Sequence, residues 1–159
     1  MSESEITLRP MTRTLCHRLY RGWENDESIY MDMSLFKPYE YSAERVDRYF
    51  DKKQEPTRVL LAVMRGEEPI GELQLKEINR EAGSCVLSIH LQNDAVKGLG
   101  YGTEAERQAI GYAFHTLGLH TVLADTVLKN KRSQHVLEKV GFHFERQEGE
   151  FRYYRMERE

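Results

Sequence analysis

Two periodicities of hydrophobic residues along the 159-residue chain predict its elements. Apolar or alternating runs typical of strands occupy residues 6–9, 58–64, 70–78, 84–91, 121–127, 142–146 and 151–156. Helical spacing of hydrophobic residues predicts helices that start near residues 12, 42, 103 and 130. The order β-α-α-β-β-β-α-β-α-β-β predicts an α/β (α+β) fold, with a mixed, mostly antiparallel sheet of about seven strands flanked by about four helices. We expect residues 1–159 to form a single domain.

Helix boundaries are predicted from capping residues. Thr12 and Ser42 are suitable N-caps for the first two helices, and the first helix is expected to place Trp23 on its apolar face. Thr103 and Glu106 have the spacing of a capping box, which predicts that the third helix begins at Thr103. Gly118 is placed to end that helix in a left-handed conformation.

The segment Lys97-Gly98-Leu99-Gly100-Tyr101-Gly102 lies between a predicted strand and a predicted helix. Helix N-terminal amides lack intrahelical partners and carry partial positive charge, and glycines permit close approach of a ligand. This arrangement predicts a diphosphate site with Lys97 as a nearby cation. A glycine-rich turn before an ordinary helix is the alternative. Two other phosphate loops are set aside as weak alternatives. A P-loop needs Gly-Lys followed by Ser or Thr, which the sequence lacks, and Thr103 stands where a dinucleotide fingerprint needs glycine, alanine or a similar residue.

Composition limits the other classes of function. The net charge is −3 and the charged residues, 31% of the chain, are mixed in sign along it, so we expect no nucleic-acid partner. No apolar run approaches membrane-spanning length, so we expect no membrane segment. Cys16 and Cys85 lie in apolar segments, which favours buried thiols, a reducing compartment and a cytoplasmic location. We predict no metal site.

Two motifs resemble a known superfamily. Lys97-x-x-Gly100-x-Gly102 is similar to the Arg/Gln-x-x-Gly-x-Gly/Ala loop of the GNAT superfamily of N-acetyltransferases, whose amides grip the pyrophosphate of acetyl-coenzyme A (acetyl-CoA). Asn130-x-x-Ser133, followed by Glu-Lys-Val-Gly-Phe at 138–142, resembles the second signature of the branch that includes the ribosomal-protein N-terminal (RimJ/RimL-like) acetyltransferases. The resemblance covers nearly the whole chain. It implies a splayed wedge between strands four and five that admits the pantetheine arm.

The resemblance implies transfer of an acetyl group from acetyl-CoA to a primary amine by direct attack. The acceptor stays open between a protein N-terminus and a small cationic amine, and a homodimer is possible because relatives often dimerise. The alternatives are a non-catalytic acyl-CoA binding or sensing module, and a protein that binds another diphosphate nucleotide through the same loop. The resemblance also implies which residues bind the cosubstrate, with Ile89 and Leu91 acting through their backbone amides. The full set is Ile89, Leu91, Lys97, Gly98, Leu99, Gly100, Tyr101, Gly102, Thr103, Asn130 and Ser133.

Acetyl transfer from a thioester to an amine has three requirements. The amine must be neutral, the oxyanion of the tetrahedral intermediate must be stabilised, and the departing thiolate must be protonated or otherwise accommodated. At the position where many superfamily members carry a tyrosine acid, this chain has Leu137, so Ser133 is the candidate donor to the sulfur. The position of the usual glutamate base is Val86. His90 on the same strand and Glu72 on the preceding strand are the candidate bases, with a water chain as a further option.

Residues 24–41 have no clean periodicity and combine aromatic side chains with acids. Irregular segments of this kind often carry binding functions, and the resemblance implies that this one walls the acceptor side of the cleft. The alternative is that its aromatic residues only pin the segment to the body of the protein. The predicted substrate-binding residues are Trp23, Tyr30, Phe36 and Tyr39.

Overall fold

A computed structural model describes residues 5–159, and the strands of these residues form one sheet. The strand order across the sheet is β1-β2-β3-β4-β5-β7-β6. The strands are β1 (Ile6–Pro10), β2 (Val59–Arg65), β3 (Glu68–Asn79), β4 (Ser84–Leu91), β5 (Thr121–Val127), β6 (His143–Glu148) and β7 (Phe151–Glu157). Strands β2, β3 and β4 form an antiparallel meander, in which they pair in sequence order.

Strands β4 and β5 are the one parallel pair within the described sheet. They pair only where Ser84–Val86 meets Thr121–Leu123. Beyond this point β4 continues to Leu91 and β5 to Val127 without pairing with each other, so the two strands separate. The predicted mixed, mostly antiparallel sheet with a wedge between strands four and five is therefore confirmed.

The described residues also contain α1 (Arg13–Arg21), α2 (Ala43–Lys52), α3 (Tyr101–Gly111) and α4 (Lys131–Val140). The chain continues from α3 through a π-helical turn over Tyr112–Thr116, and Gly118 then takes a positive φ of 68°, as predicted. Thr12, Ser42 and Asn130 cap α1, α2 and α4, each accepting a hydrogen bond from the backbone amide three residues later.

Two predicted boundaries are wrong. Helix α3 begins at Tyr101 with Gly100 as its N-cap, so Thr103 and Glu106 do not form a capping box and both side chains are buried. The reason is the left-handed conformation of Gly100, with φ of 84°, which turns the chain into the helix earlier than Thr103. Helix α1 ends at Arg21 because Gly22 forms its C-cap, so Trp23 follows the helix instead of belonging to it.

The sheet has a helical layer on each face. Helices α3 and α4 cover the larger core, which includes Leu73, Leu75 and Leu87, and α1 and α2 cover a smaller one that includes Ala62 and Met64. The two thiols, of Cys16 and Cys85, are buried and unpaired, as expected of core residues. Among residues 5–159, none of the helices combines the length and hydrophobicity needed to span a membrane.

Candidate active site

A cleft of about 410 Å³ lies where β4 and β5 separate. Strands β4 and β5 form its sides, α3 and α4 contribute residues to its lining, and the segment after α1 closes one end. Several residues predicted from the sequence share this cleft; they are Trp23, Ile89, His90, Leu91, Lys97, Gly102, Asn130 and Ser133. The wedge thus brings together candidates that are far apart in the chain.

The glycine loop presents unpaired amides at the start of α3. Gly98 and Gly100 have φ values of 73° and 84°, and a Cβ at either position would meet no atom within 4 Å. The first amide with a backbone partner is that of Glu104, which donates to the Gly100 carbonyl at 3.1 Å. Within the described chain, the amides of residues 98–103 donate to no protein group. The helix N-terminus therefore offers a set of free donors to an anion.

The other predicted loop residues lie around these amides. Leu99 is 58% exposed, and Thr103 is buried. Tyr101 packs against the larger core, with the Arg65 guanidinium 5.5 Å from its ring centroid. These three side chains do not line the cleft, so any contact they make with a ligand there is through the backbone.

Lys97 is held by carboxylates. Its Nζ lies 3.0 Å from Asp26 Oδ2 and 3.4 Å from Asp94 Oδ1, and its side chain is only 8% exposed. Burial alone would raise the pKa of Asp26, but hydrogen bonds from Ser28 and then Lys97 outweigh it and lower that pKa. Lys97 therefore ties the segment after α1 to the glycine loop, and its charge is paired with these two carboxylates.

The free edge of β4 also carries donors. The Gln92 amide, just after β4, donates to the Ile70 carbonyl at 2.8 Å. This bond establishes which amides of β4 form hydrogen bonds with β3. Because hydrogen bonding alternates along an antiparallel pair, the amides of Ile89 and Leu91 point away from β3 and toward the wedge. These are the amides predicted to meet the cosubstrate.

Ser133 and Asn130 meet at the start of α4. Asn130 Oδ1 accepts a hydrogen bond from the Ser133 amide at 3.1 Å, so Asn130 is the helix cap. The Ser133 hydroxyl has no partner among the described residues and lines the cleft. Leu137, one turn later, is buried and brings no hydroxyl to the site. Ser133 is thus an available donor.

His90 and Glu72 are directly opposite each other on β4 and β3. Glu72 is buried and does not line the cleft. Its carboxylate accepts hydrogen bonds from the Tyr20 hydroxyl at 3.0 Å, the Tyr49 hydroxyl at 2.6 Å and Gln74 Nε2 at 2.8 Å. Burial, followed by the charge of Glu72, raises the pKa of both tyrosines, so they remain donors.

The His90 side chain lines the cleft and is exposed to it, with the walls of the cleft around it. Desolvation by these surroundings lowers its pKa from 6.5, although the charge of Glu72 opposes this change. His90 is therefore neutral at pH 7 and able to accept a proton. Of the two predicted bases, the structure brings His90 and not Glu72 to the cleft.

Aromatic residues form the acceptor-side wall. The Tyr20 ring lies 4.7 Å from Trp23, 6.0 Å from Tyr39 and 5.5 Å from Tyr49, measured between centroids. Trp23 lines both the cleft and an adjoining depression, which Phe36 and Tyr39 also line. Tyr30 lines neither cavity and packs edge-on against Phe36 at 5.4 Å.

Sequence reasoning missed three residues at this site. Tyr20 and Tyr49 fit the apolar faces of α1 and α2, so nothing in the sequence, apart from their hydroxyl groups, indicated that they donate hydrogen bonds to the buried carboxylate of Glu72. Glu106 was assigned to a capping box, yet it lines the cleft with 2% of its surface exposed. Burial raises the Glu106 pKa to about 8, and Oε1 has no hydrogen-bond partner in the described chain. An acid among the helical apolar positions was the available signal.

A comparison with known protein families identifies the family to which this chain belongs. Residues 5–143 match the family described as the acetyltransferase (GNAT) domain. The chain belongs to the GNAT acetyltransferase family. The superfamily prediction and the acetyltransferase class are thereby confirmed. A relative is the probable N-acetyltransferase YjcK of Bacillus subtilis, 41% identical over 76 residues, which are 48% of this chain. The aligned segment spans 42% of the length of that protein.

Solved structures confirm the GNAT fold. The spermidine N-acetyltransferase of Vibrio cholerae, in complex with CoA and spermine, matches with a TM-score of 0.78 and 22% identity, covering 98% of this chain and 96% of that one. A chimera of the Vibrio cholerae enzyme SpeG and hSSAT matches with a TM-score of 0.78 and 23% identity, covering 97% and 96%. Neither comparison bears on the ribosomal-protein N-terminal branch, which stays a prediction.

Proposed function

We propose that this GNAT protein transfers an acetyl group from acetyl-CoA to a primary amine by direct attack. The observation that carries the proposal is the row of unpaired amides at residues 98–103, at the open end of the wedge between β4 and β5. The name of YjcK, and the Vibrio cholerae structure with CoA and spermine, support the same activity.

The residues present fit acetyl-CoA. The free amides of the glycine loop would hold its diphosphate without needing a side chain, which suits a loop whose lysine is already paired. The amides of Ile89 and Leu91 would contact the arm and the thioester carbonyl from β4. Asn130 and Ser133 complete the opposite wall. When bound, acetyl-CoA supplies the acetyl thioester.

His90 is our proposed general base. It is neutral at pH 7 and lines the cleft, so it can take a proton from the attacking amine. Ser133 is our proposed donor to the sulfur because its hydroxyl is free on the cleft wall. We assign Glu72 the role of holding Tyr20 and Tyr49 in place, since its oxygens already accept three hydrogen bonds.

The acceptor site is proposed at the aromatic wall. The rings of Trp23 and Tyr39, which line the cavities, suit an ammonium group before it loses its proton. Two acids of the segment have structural contacts: Asp26 and Asp32 cap short 3-10 helices, and Asp26 is also paired with Lys97. A protein N-terminus and a small polyamine both meet these requirements, and the assay must compare them.

The test is amine-dependent release of free thiol from acetyl-CoA. Spermidine and a peptide with a free N-terminus are compared with the same peptide acetylated at its N-terminus. We expect release with at least one free amine and none with the blocked peptide. His90→Gln should lower kcat/KM about 10² to 10⁴-fold, as loss of a general base does, and remove the acid limb of the pH profile below pH 6.5.

His143→Gln is the matched control, because His143 lies on β6 and does not line the cleft. CoA binding without any amine-dependent thiol release would contradict the proposed function and favour the acyl-CoA binding or sensing module.

A further inference from the structure

Glu106 is a buried acid that the proposed chemistry does not use. Its side chain is 2% exposed, and no hydrogen bond or ion pair to it is found in residues 5–159. It lies on α3 between Ala105 and Ala109, which belong to the core, whereas Glu106 lines the cleft. A polar group buried without a partner is costly, and such groups in native proteins call for an explanation.

The chemical state of Glu106 limits what it can bind. Desolvation is the cause of its raised pKa, so at pH 7 the carboxyl carries its proton. A neutral carboxyl offers one O–H donor and one carbonyl acceptor. It therefore suits a neutral ligand group that both donates and accepts, and it does not suit a cation or a phosphate.

Glu106 lies one helical turn beyond the free amides at the start of α3. Gly102 and Glu106 are one helical turn apart on α3, and both line the cleft. One turn advances about 5.4 Å along the axis, from the amides at the helix start into the wedge. In CoA a short carbon segment separates the diphosphate from the first secondary amide of the pantetheine arm. A diphosphate on the loop would place that amide near Glu106.

We propose that Glu106 is a positioning residue that hydrogen-bonds a secondary amide of the pantetheine arm. The ligand supplies the partner that Oε1 lacks in the protein alone. The inference rests on the proposed function, because it takes acetyl-CoA as the occupant of the cleft. It adds a recognition element for the arm, separate from the backbone amides that meet the diphosphate.

The test compares CoA with ADP, which carries a diphosphate but no arm, by isothermal titration calorimetry at pH 7. Glu106→Leu removes the hydrogen-bonding group, and we expect CoA to bind about 5 to 100-fold more weakly, with ADP affinity unchanged. Glu106→Gln keeps a donor and an acceptor, so CoA affinity should stay within about threefold of the original protein. Glu104→Leu, on the same helix but outside the cleft, should change neither affinity.

Circular dichroism verifies that each variant folds. Equal CoA affinity of Glu106→Leu and the original protein would overturn the inference and leave the proposed function intact. An equal loss of CoA and ADP affinity would also overturn it, because that result indicates a distorted loop. Absence of CoA binding by the original protein would overturn the proposed function and the inference together.

Discussion

Glu106 makes the stability of the free protein depend on pH in a way that one substitution removes. Burial raises its pKa from 4.5 to about 8 in the folded state. In the unfolded chain this carboxyl ionises above pH 4.5, while the folded protein keeps the proton until about pH 8. The unfolded state therefore binds fewer protons across this window, and the free energy of unfolding falls as pH rises.

The structure sets the size of this effect. A pKa that moves from 4.5 to about 8 corresponds to at most roughly 5 kcal/mol between the two ends of the window, since one pKa unit is worth about 1.4 kcal/mol. Below pH 4.5 and above about pH 8 the contribution is constant. Glu106→Gln has no titrating group there, so it should be increasingly more stable than the original protein as pH rises from 4.5 to 8.

The assay is urea unfolding followed by circular dichroism at intervals between pH 4 and pH 9, each analysed as a two-state transition. The quantity of interest is the difference in free energy of unfolding between Glu106→Gln and the original protein. Other charged groups of the cleft cancel in this difference; they are Asp26, Lys76, His90, Lys97, Asp125 and Arg132. Glu104→Gln repeats the chemical change at a partly exposed position of the same helix. A difference that stays constant from pH 5 to pH 8 would refute the reasoning.

Two further predictions test the loop and the buried carboxylate. Gly100→Val should weaken CoA binding about tenfold or more in calorimetry, because a φ of 84° strains a β-branched residue beside the free amides. The control Gly66→Val, at a φ of 60° in a remote turn, should be strained as well but keep its affinity for CoA. Tyr49→Phe should lower the free energy of unfolding by roughly 1.5 to 3 kcal/mol, because the Tyr49 hydroxyl donates to the Glu72 carboxylate. The control is Tyr112→Phe, since the Tyr112 hydroxyl has no partner among the described residues. It should change the free energy of unfolding by less than about 0.5 kcal/mol.

The fold could be predicted largely from local pattern. The four α-helices and the strands other than β6 follow a hydrophobic pattern, whereas β6 is exposed along its whole length. Thr12 and Ser42 cap helices as their positions suggested. The start of α3 could not be read in the same way, because the Thr103 and Glu106 spacing imitates a cap while Gly100 turns the chain earlier. Whether a glycine adopts a left-handed conformation depends on the surrounding structure as well as on its neighbours in sequence.

The site was less accessible from sequence because its contacts join distant segments. The donors to Glu72 include Tyr20 on α1 and Tyr49 on α2, and no sequence spacing relates these residues. The ion pair between Lys97 and Asp26 likewise joins residues from separate loops. Composition identified both side chains as charged, but only tertiary structure shows that each neutralises the other.

The acidic segment after α1 has a structural role that changes how its composition is interpreted. Asp26 accepts hydrogen bonds from Ser28 and from Lys97, so it caps a short helix and fastens the segment to the glycine loop at once. Lys129, which follows β5, donates to the carbonyls of Glu27 and Tyr30 and holds the same segment from the other side of the cleft. The acceptor-side wall is thus anchored on the β4 side and on the β5 side of the wedge. Among the acids of this segment, Asp26 serves the attachment directly, and its charge is paired with that of Lys97.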